Sequence, residues 1–321
     1  MMHTIDEELK IAEEMRSELS GYCYRMTGSF AEAEDAVQDT LLRIWQSQGK
    51  LRNQAALRTW IYRIATNVCL DKLRNAKRRA LPIDVSDPAN FVTEPQETVA
   101  HPAWIWPYPD LSHDPAEQAI SRDTIRLSFI ALLQTLPPKQ RAVLILNDVF
   151  RWPAKQTAET MDMTVTAVNS ALQRARATLK QARLQSETLR NTDDKTDERL
   201  LATYVEAFEQ YDVDKLLSLF QEGASLSMPP YVMWVSGTTD ILSFYEATRS
   251  HCEGSRLLPV RANGNCPAFA HYMPTEREGM WVAWGVHVLE IKEGQIIHIH
   301  HFIDSDLFAQ FGMPETLDND R

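Results

Sequence analysis

Thr166, Asn169, Ser170, Gln173, Arg176 and Lys180, with Arg174 and Arg183 flanking, are spaced to share one side of a helix. Side chains of these types bond base edges and phosphate oxygens. Val168, Leu172, Ala175 and Leu179 supply the opposing apolar stripe. Between Met163 and Ser186 there is no Asp or Glu, although the chain carries a net charge of −11. A duplex with one phosphate charge per ~1.7 Å would repel a carboxylate placed there. Upstream, "PAKQTAETMDM" reads as a short helix and a turn around Asp162-Met163. The order is that of a helix-turn-helix, whose second helix enters the major groove. An ordinary basic surface helix would show the same residues, and on these residues alone both readings stand.

A second set lies near the C-terminus: His287, His298, His300, His301 and Asp304. A His-Asp pair within hydrogen-bond reach could act as general acid and base. Two histidines at i, i+2 could bind a metal, but a third ligand is not evident. His298 and His300 share one strand face and His301 takes the other. Trp234, Trp284, His287 and His300 are the candidate pocket lining, with Met228 and Trp281 beside them. Filling a half-polar interface, binding a ligand and catalysis all remain open for these histidines. Because the sequence places no matched pair, no catalytic residue, metal or cofactor is assigned.

The elements that must position these residues follow from periodicity and charge. Residues 5–80 read as helices with a break at Gly28-Ser29. Residues 81–116 hold seven prolines and read as an extended acidic connector. Residues 117–184 are helical again, and the polar stretch 185–196 is a second linker. From 197 onward two helical segments precede short β-rich runs, with a hairpin turn at "KEG", 292–294. Residues 196–321 carry 8 Lys/Arg against 19 Asp/Glu, so the whole negative excess lies there. From Lys50 to Arg79 there are nine bases and one acid, Asp71. Blocks of alternating sign imply several partner surfaces. The sequence has no apolar run long enough to span a bilayer. Its first residues, "MMHTIDEELK", show neither the basic start nor the apolar core of a secretory signal, and its four cysteines form no CxxC pair. The expectation is a cytoplasmic protein with reduced thiols and no membrane contact.

"LPPKQRAVLILNDVFRWPAKQTAETMDMTVTAVNSALQRARATL" resembles the promoter −35 reading domain of the extracytoplasmic-function group of sigma-70 factors. "AEAEDAVQDTLLRIWQ" and "LRTWIYRIATNVCLDKLRNAKRR" resemble the companion domain that binds polymerase and melts DNA. The resemblance implies core RNA polymerase (β′ clamp and β flap) and promoter DNA as partners. It places Asp35, Gln38, Asp39 and Leu42, one helix face, on the β′ clamp, with Ala36, Val37, Thr40, Leu41 and Ile44 packed inward. It places Arg63, Asn67, Arg74, Lys77 and Arg78 on the −10 duplex, with Thr66 also outward on a helix of about 57–79. The loop "SQGKLRNQAA" would capture a flipped base, and Trp60 and Tyr62 are candidates for base stacking. Thr166, Asn169, Ser170, Gln173, Arg174, Arg176 and Lys180 would read the −35 element. "WIWPYPD", 104–110, is expected to be a packed element docking on the C-terminal domain or the polymerase.

Residues 197–312 are similar to the SnoaL-like family, a curved-sheet cone, through "SLSMPP" and the "HFID..LF..FG" ending. The expected architecture is therefore two all-α sigma domains followed by an α+β cone-shaped SnoaL-like domain. The boundaries are 1–80, a linker 81–116, 117–184, a linker 185–196, and 197–321. The expected function is an alternative sigma factor, not an enzyme, whose C-terminal domain modulates it and has room for an unknown small-molecule ligand. A DNA-tethered small-molecule-binding or enzymatic module, and a helix-turn-helix regulator that never binds polymerase, are the competing readings. The acidic helix face argues against the regulator, and the missing catalytic pair weakens the enzyme.

Overall fold

The computed structural model describes residues 5–47, 56–89, 104–110, 124–185 and 198–318. The chain divides into two compact units, one of Met1–Arg79 with Ser112–Leu189 and one of Ala80–Leu111 with Arg190–Arg321. Among the described residues no helix is long and apolar enough to cross a membrane. Two stretches expected from sequence, the "SQGKLRNQAA" loop and the 185–196 linker, fall almost wholly outside the described residues.

The first unit is helical: α1 (Ile5–Glu14), α2 (Arg16–Thr27), α3 (Phe30–Gln46), α4 (Leu57–Leu73), α5 (Leu127–Gln134), α6 (Pro138–Leu144, continuing as a wider turn to Val149), α7 (Ala154–Met161) and α8 (Val165–Gln185). Gly28 ends α2 at φ 75°, and its N–H bonds back to the Tyr24 carbonyl at 2.7 Å. Only a residue without a Cβ takes that left-handed turn freely. As the apolar spacing predicts, α3 buries Ala36, Val37, Thr40, Leu41 and Ile44. In α4, Leu57, Ile61 and Val68 are buried. Thr66, expected to face outward, is also buried, its hydroxyl 2.7 Å from that of Tyr22. The helix stops at Leu73, so Arg74, Lys77 and Arg78 follow it instead of lying on it.

Helices from both sigma-like regions pack as one body. Arg141 on α6 is nearly wholly buried, and its guanidinium donates to the carbonyls of Met26 and Leu136 and to Gln134. Those carbonyls give the cation the acceptors that burial removes from water. Burial lowers its pKa to about 10, so it stays charged at neutral pH. Arg25 on α2 reaches Thr124 Oγ1 at 2.8 Å. The Tyr62 ring lies edge-on to Tyr22, Phe150 and Trp152, with centroids 5.1, 5.6 and 4.8 Å away.

The second unit begins with α9 (Glu198–Glu209) and α10 (Val213–Leu217), then β1 (Phe220–Ser227), β2 (Trp234–Ser236), α11 (Thr238–Cys252), β3 (Arg256–Ala262), β4 (Cys266–Pro274), β5 (Met280–Lys292), β6 (Gln295–Phe302), α12 (Leu307–Gln310) and β7 (Thr316–Asp318). The strands form one seven-stranded sheet of order β2-β1-β6-β5-β4-β3, with β7 paired to β5 off that path. β1 runs parallel to β6 and the other pairs are antiparallel. Glu293 and Gly294, both at positive φ, make the β5–β6 hairpin turn, as "KEG" predicts. At Gly285 an added Cβ would collide with the Phe302 carbonyl, so this point of β5 needs glycine.

The expected cone is not formed. The sheet is neither closed nor strongly curled, because its path ends at β2 and β3 without joining them. Its inner apolar face is instead covered by helices: Tyr204 and Phe208 of α9 and Ile241, Phe244 and Tyr245 of α11 share one core with Leu226, Phe269, Leu289 and Ile299. Alternation along strands reveals which face is buried, but not whether the edge strands meet.

The described parts of the Pro-rich connector belong to this second unit. Ser86 accepts the Trp234 indole N–H at 2.9 Å on its carbonyl and donates its hydroxyl to the Val232 carbonyl at 3.1 Å. In "WIWPYPD", Trp104, Ile105 and Trp106 are buried, and Trp106 packs on Phe302 at 6.0 Å. The Tyr108 N–H bonds Asn263 Oδ1 at 3.1 Å, and the Asp110 N–H bonds the Arg261 carbonyl at 3.0 Å. The Asp110 carboxylate takes the N–H groups of Gly264 and Asn265.

Removing the buried guanidinium should be costly. Arg141→Ala strands several carbonyls without donors, and we expect a loss of about 2–4 kcal/mol in the helical unit. Urea unfolding should show a lower midpoint with an unchanged slope. A loss below about 0.5 kcal/mol, the size of a neutral surface change, would contradict this role.

Candidate functional site

On α3, Asp35 and Gln38 are exposed, Leu42 is 54 % exposed, and Asp39 is half-buried with its carboxylate 3.2 Å from Lys72 Nζ. The fold thus keeps all four expected residues on an accessible face. The same face carries Trp45, also 54 % exposed, which the sequence reading passed over. Its spacing of i+3 from Leu42 and i+7 from Gln38 was the available signal. An exposed indole beside carboxylates is a surface fit for a partner with cationic and apolar groups.

On and after α4, Arg63, Asn67, Arg74, Lys77 and Arg78 are all exposed. Two neighbours on this surface are engaged by the helix-turn-helix: Arg63 donates to the Glu159 carbonyl, and Gln156 donates to Thr59 Oγ1 at 3.3 Å. Tyr62 is fully buried in the aromatic cluster and cannot stack on a base in this conformation, while Trp60 is half-buried.

The α7–α8 turn is made by Asp162 in the left-handed region at φ 52°. Thr164 Oγ1 then accepts the Ala167 N–H at 3.1 Å and caps α8. Val168, Leu172 and Ala175 are buried, which sets the rotation of the helix. Thr166, Asn169, Gln173, Arg174, Arg176 and Lys180 are consequently exposed, and Ser170 is half-buried. Arg176 is not a free cation: its Nε lies 2.9 Å from Asp148 Oδ2. The acid-free stretch therefore acquires a carboxylate from α6's continuation, 28 residues away in sequence.

The four expected pocket residues do not come together. Trp234 is bound to the connector, and Trp284 is 40 % exposed. His300 lies on the face opposite His287, because His301, its neighbour, is the cross-strand partner of His287. His300 Nδ1 pairs with Ser227 Oγ at 2.8 Å, and His298 Nδ1 with Ser225 Oγ at 2.7 Å. On the inner face the fold assembles a different group. Tyr204 Oη is 2.9 Å from His287 Nδ1, and His287 Nε2 is 3.1 Å from His271 Nδ1. His301 stacks on His287 with centroids 3.8 Å apart. His271 and Tyr204 were missed because only tertiary structure brings them to His287. Among the described residues no group of His, Cys, Asp or Glu could hold a metal.

Burial keeps these imidazoles neutral. It lowers His271 and His300 to about 3 and His298 to about 4, and it pushes His287 and His301 well down, with neighbouring histidines adding to the effect.

Residues 11–79 match the family model for sigma-70 region 2, residues 126–179 that for sigma-70 region 4, and residues 201–299 that for the SnoaL-like domain. The chain is 40 % identical over 316 residues, 95 % of its length and 83 % of the relative's, to the ECF RNA polymerase sigma factor SigG of Mycobacterium tuberculosis. The chain belongs to the ECF sigma factors. This sigma factor is also similar to SigJ of M. tuberculosis, 26 % identical over 312 residues. The crystal structure of SigJ covers 94 % of this chain and 98 % of its own, with a TM-score of 0.61 and 20 % identity, a shared fold. The sigma factor directs RNA polymerase transcription and carries a fused SnoaL-like domain.

The neutral histidines make the SnoaL-like domain acid-sensitive. Their folded-state pKa values lie below the unfolded value of about 6.5, so below that pH the unfolded chain binds protons the folded one refuses. Stability is intact above that value and lost as pH falls through it, by about 1.4 kcal/mol per pH unit per histidine. For His271, His287, His298, His300 and His301 together this approaches the roughly 5–15 kcal/mol total of a domain within about one to two pH units. Near-UV circular dichroism should therefore show the domain melting between about pH 5 and 6 at 25 °C. A flat signal down to pH 4 would contradict the neutral, buried assignment.

Proposed function

We propose that this sigma factor binds core polymerase through Asp35, Gln38, Asp39, Leu42 and Trp45 at the β′ clamp. Its region 4 meets the β flap and reads the −35 element with Thr166, Asn169, Ser170, Gln173, Arg174, Arg176 and Lys180. Arg63, Asn67, Arg74, Lys77 and Arg78 meet the −10 duplex. The functional segments are 1–80, 117–184 and 197–321, joined by linkers 81–116 and 185–196, and the protein works in the cytoplasm where polymerase is. The exposed α3 face and the capped, outward polar face of α8 support these assignments.

The SnoaL-like domain modulates this activity by holding the connector between regions 2 and 4. One observation carries this reading: "WIWPYPD" and residues 80–89 are bonded to the unit that follows both sigma regions, at Val232, Trp234, Arg261 and the turn 263–265. A connector held there cannot extend along polymerase, and Arg63 and Thr59 stay occupied by α7 while the helical unit is closed. Release of the connector would free region 4 to move away from α4.

Run-off transcription with core polymerase tests both parts. Asp39→Arg should abolish core pull-down with the fold intact, since a partly exposed charge change costs little stability. Asp110→Ala, which removes the acceptors for two backbone N–H groups, should loosen the connector and change promoter output by about threefold or more, an effect of ~1 kcal/mol. Wild-type pull-down by folded Asp39→Arg would overturn the first assignment. Wild-type output from Asp110→Ala and from a Trp106→Ala, Asp110→Ala double variant would overturn the second.

A further inference from the structure

Four buried polar atoms in the SnoaL-like domain have no hydrogen-bond partner among the described residues: Ser255 Oγ, and a group of three, His271 Nε2, His301 Nε2 and Tyr245 Oη. All three side chains are more than nine-tenths buried. They sit in one aromatic nest. The Phe208 ring lies 5.1 Å from the His271 and His287 rings and 6.4 Å from that of Tyr245, and Phe244 lies 6.4 Å from His301. A lone unsatisfied group can be packing strain, but three together in one core call for something that bonds them.

Proton placement sharpens the requirement. Burial holds the Tyr204 phenol protonated, so its O–H donates to His287 Nδ1. A neutral His287 then carries its proton on Nε2 and donates to His271 Nδ1. That leaves His271 with an Nε2–H donor and no acceptor, while His301 and Tyr245 can each add a bond. Among the described residues of this unit the one buried charge is Glu290, on the opposite face beside His300. A charged group placed in the nest would thus be desolvated without a counter-ion, while the charges of Glu206, Glu209 and Arg261 lie along the adjoining cavity.

An entrance lies next to the nest. A cavity of about 550 Å³ runs between α9 and the β3–β4 hairpin, lined by Leu201, Val205, Leu257, Pro259 and Phe269 among others. Phe269 also packs on Tyr204, with centroids 5.3 Å apart, and so partitions the cavity from the nest.

We propose that this nest and cavity form a binding site for an uncharged, flat aromatic molecule that offers both a hydrogen-bond acceptor and a donor at one edge. Its ring replaces part of the Phe269 partition, and its polar edge bonds His271, His301 and Tyr245. The site does not depend on the connector reading, because binding is measured without transcription.

The test uses the full chain labelled with ¹⁵N-histidine at pH 7.5, with benzamide, toluene and benzoate as probes. Benzamide should bind saturably and move the Nε2 resonances of His271 and His301, with toluene and benzoate weaker by about tenfold or more, one lost hydrogen bond or one desolvated charge. Tyr245→Phe and His301→Phe should each weaken benzamide by about tenfold, the first removing a single oxygen with little risk to folding. Phe269→Ala should strengthen benzamide binding by opening the partition. Failure of benzamide to move either Nε2 resonance overturns the proposal and leaves the three atoms to buried water. So does equal binding of toluene, or binding unaffected by Tyr245→Phe.

Discussion

The chain crosses between its two units at Arg79–Ala80 and again at Leu111–Ser112. This covalent constraint governs the rest of the molecule. The described connector between region 2 and region 4 belongs to the unit that holds the SnoaL-like domain. Two prolines and three aromatics in "WIWPYPD" suit it to that place. Pro107 and Pro109 supply fixed φ angles and need no N–H partner. Trp104, Ile105 and Trp106 contribute burial, and Tyr108 and Asp110 fix the register through hydrogen bonds to the β3–β4 turn. On the proposed reading, a connector seated in the accessory domain links the state of that domain to the freedom of regions 2 and 4.

Buried polar groups do related work in both units. In the helical unit Arg141 satisfies carbonyls from α2 and from the α5–α6 turn, so the two sigma regions close only in one register. A purely apolar interface would tolerate sliding; a buried cation with fixed acceptors does not. In the SnoaL-like unit His298 and His300 on one face of β6 pair with serine hydroxyls, and on the other face His301 stacks on His287, which is bonded to Tyr204 and His271. Their neutrality makes the domain sound at neutral pH and fragile in acid.

Local periodicity made some of this legible in the sequence. The α8 stripe of Val168, Leu172 and Ala175 fixed which side chains face out, and the inward set on α3 followed from the same spacing. Features that depend on distant partners were not legible. Nothing near Arg176 announces Asp148, and nothing near His287 announces Tyr204, 83 residues earlier. Thr66 looked like a surface residue because threonine is polar, yet its hydroxyl serves the buried Tyr22. The open sheet was hidden for a different reason: strand alternation carries facing, whereas closure depends on edge pairing. Trp45 was legible and overlooked, since an aromatic at helical spacing more often belongs to a core.

Hydrogen exchange of residues 104–110 in the free protein and in the complex with core polymerase measures the central claim most directly. Ile105, Tyr108 and Asp110 all donate backbone N–H bonds in the seated connector. The account predicts slow exchange of this segment in the free protein and a marked loss of protection once core polymerase is bound. Fast exchange in the free protein, or equal protection in both states, would contradict it.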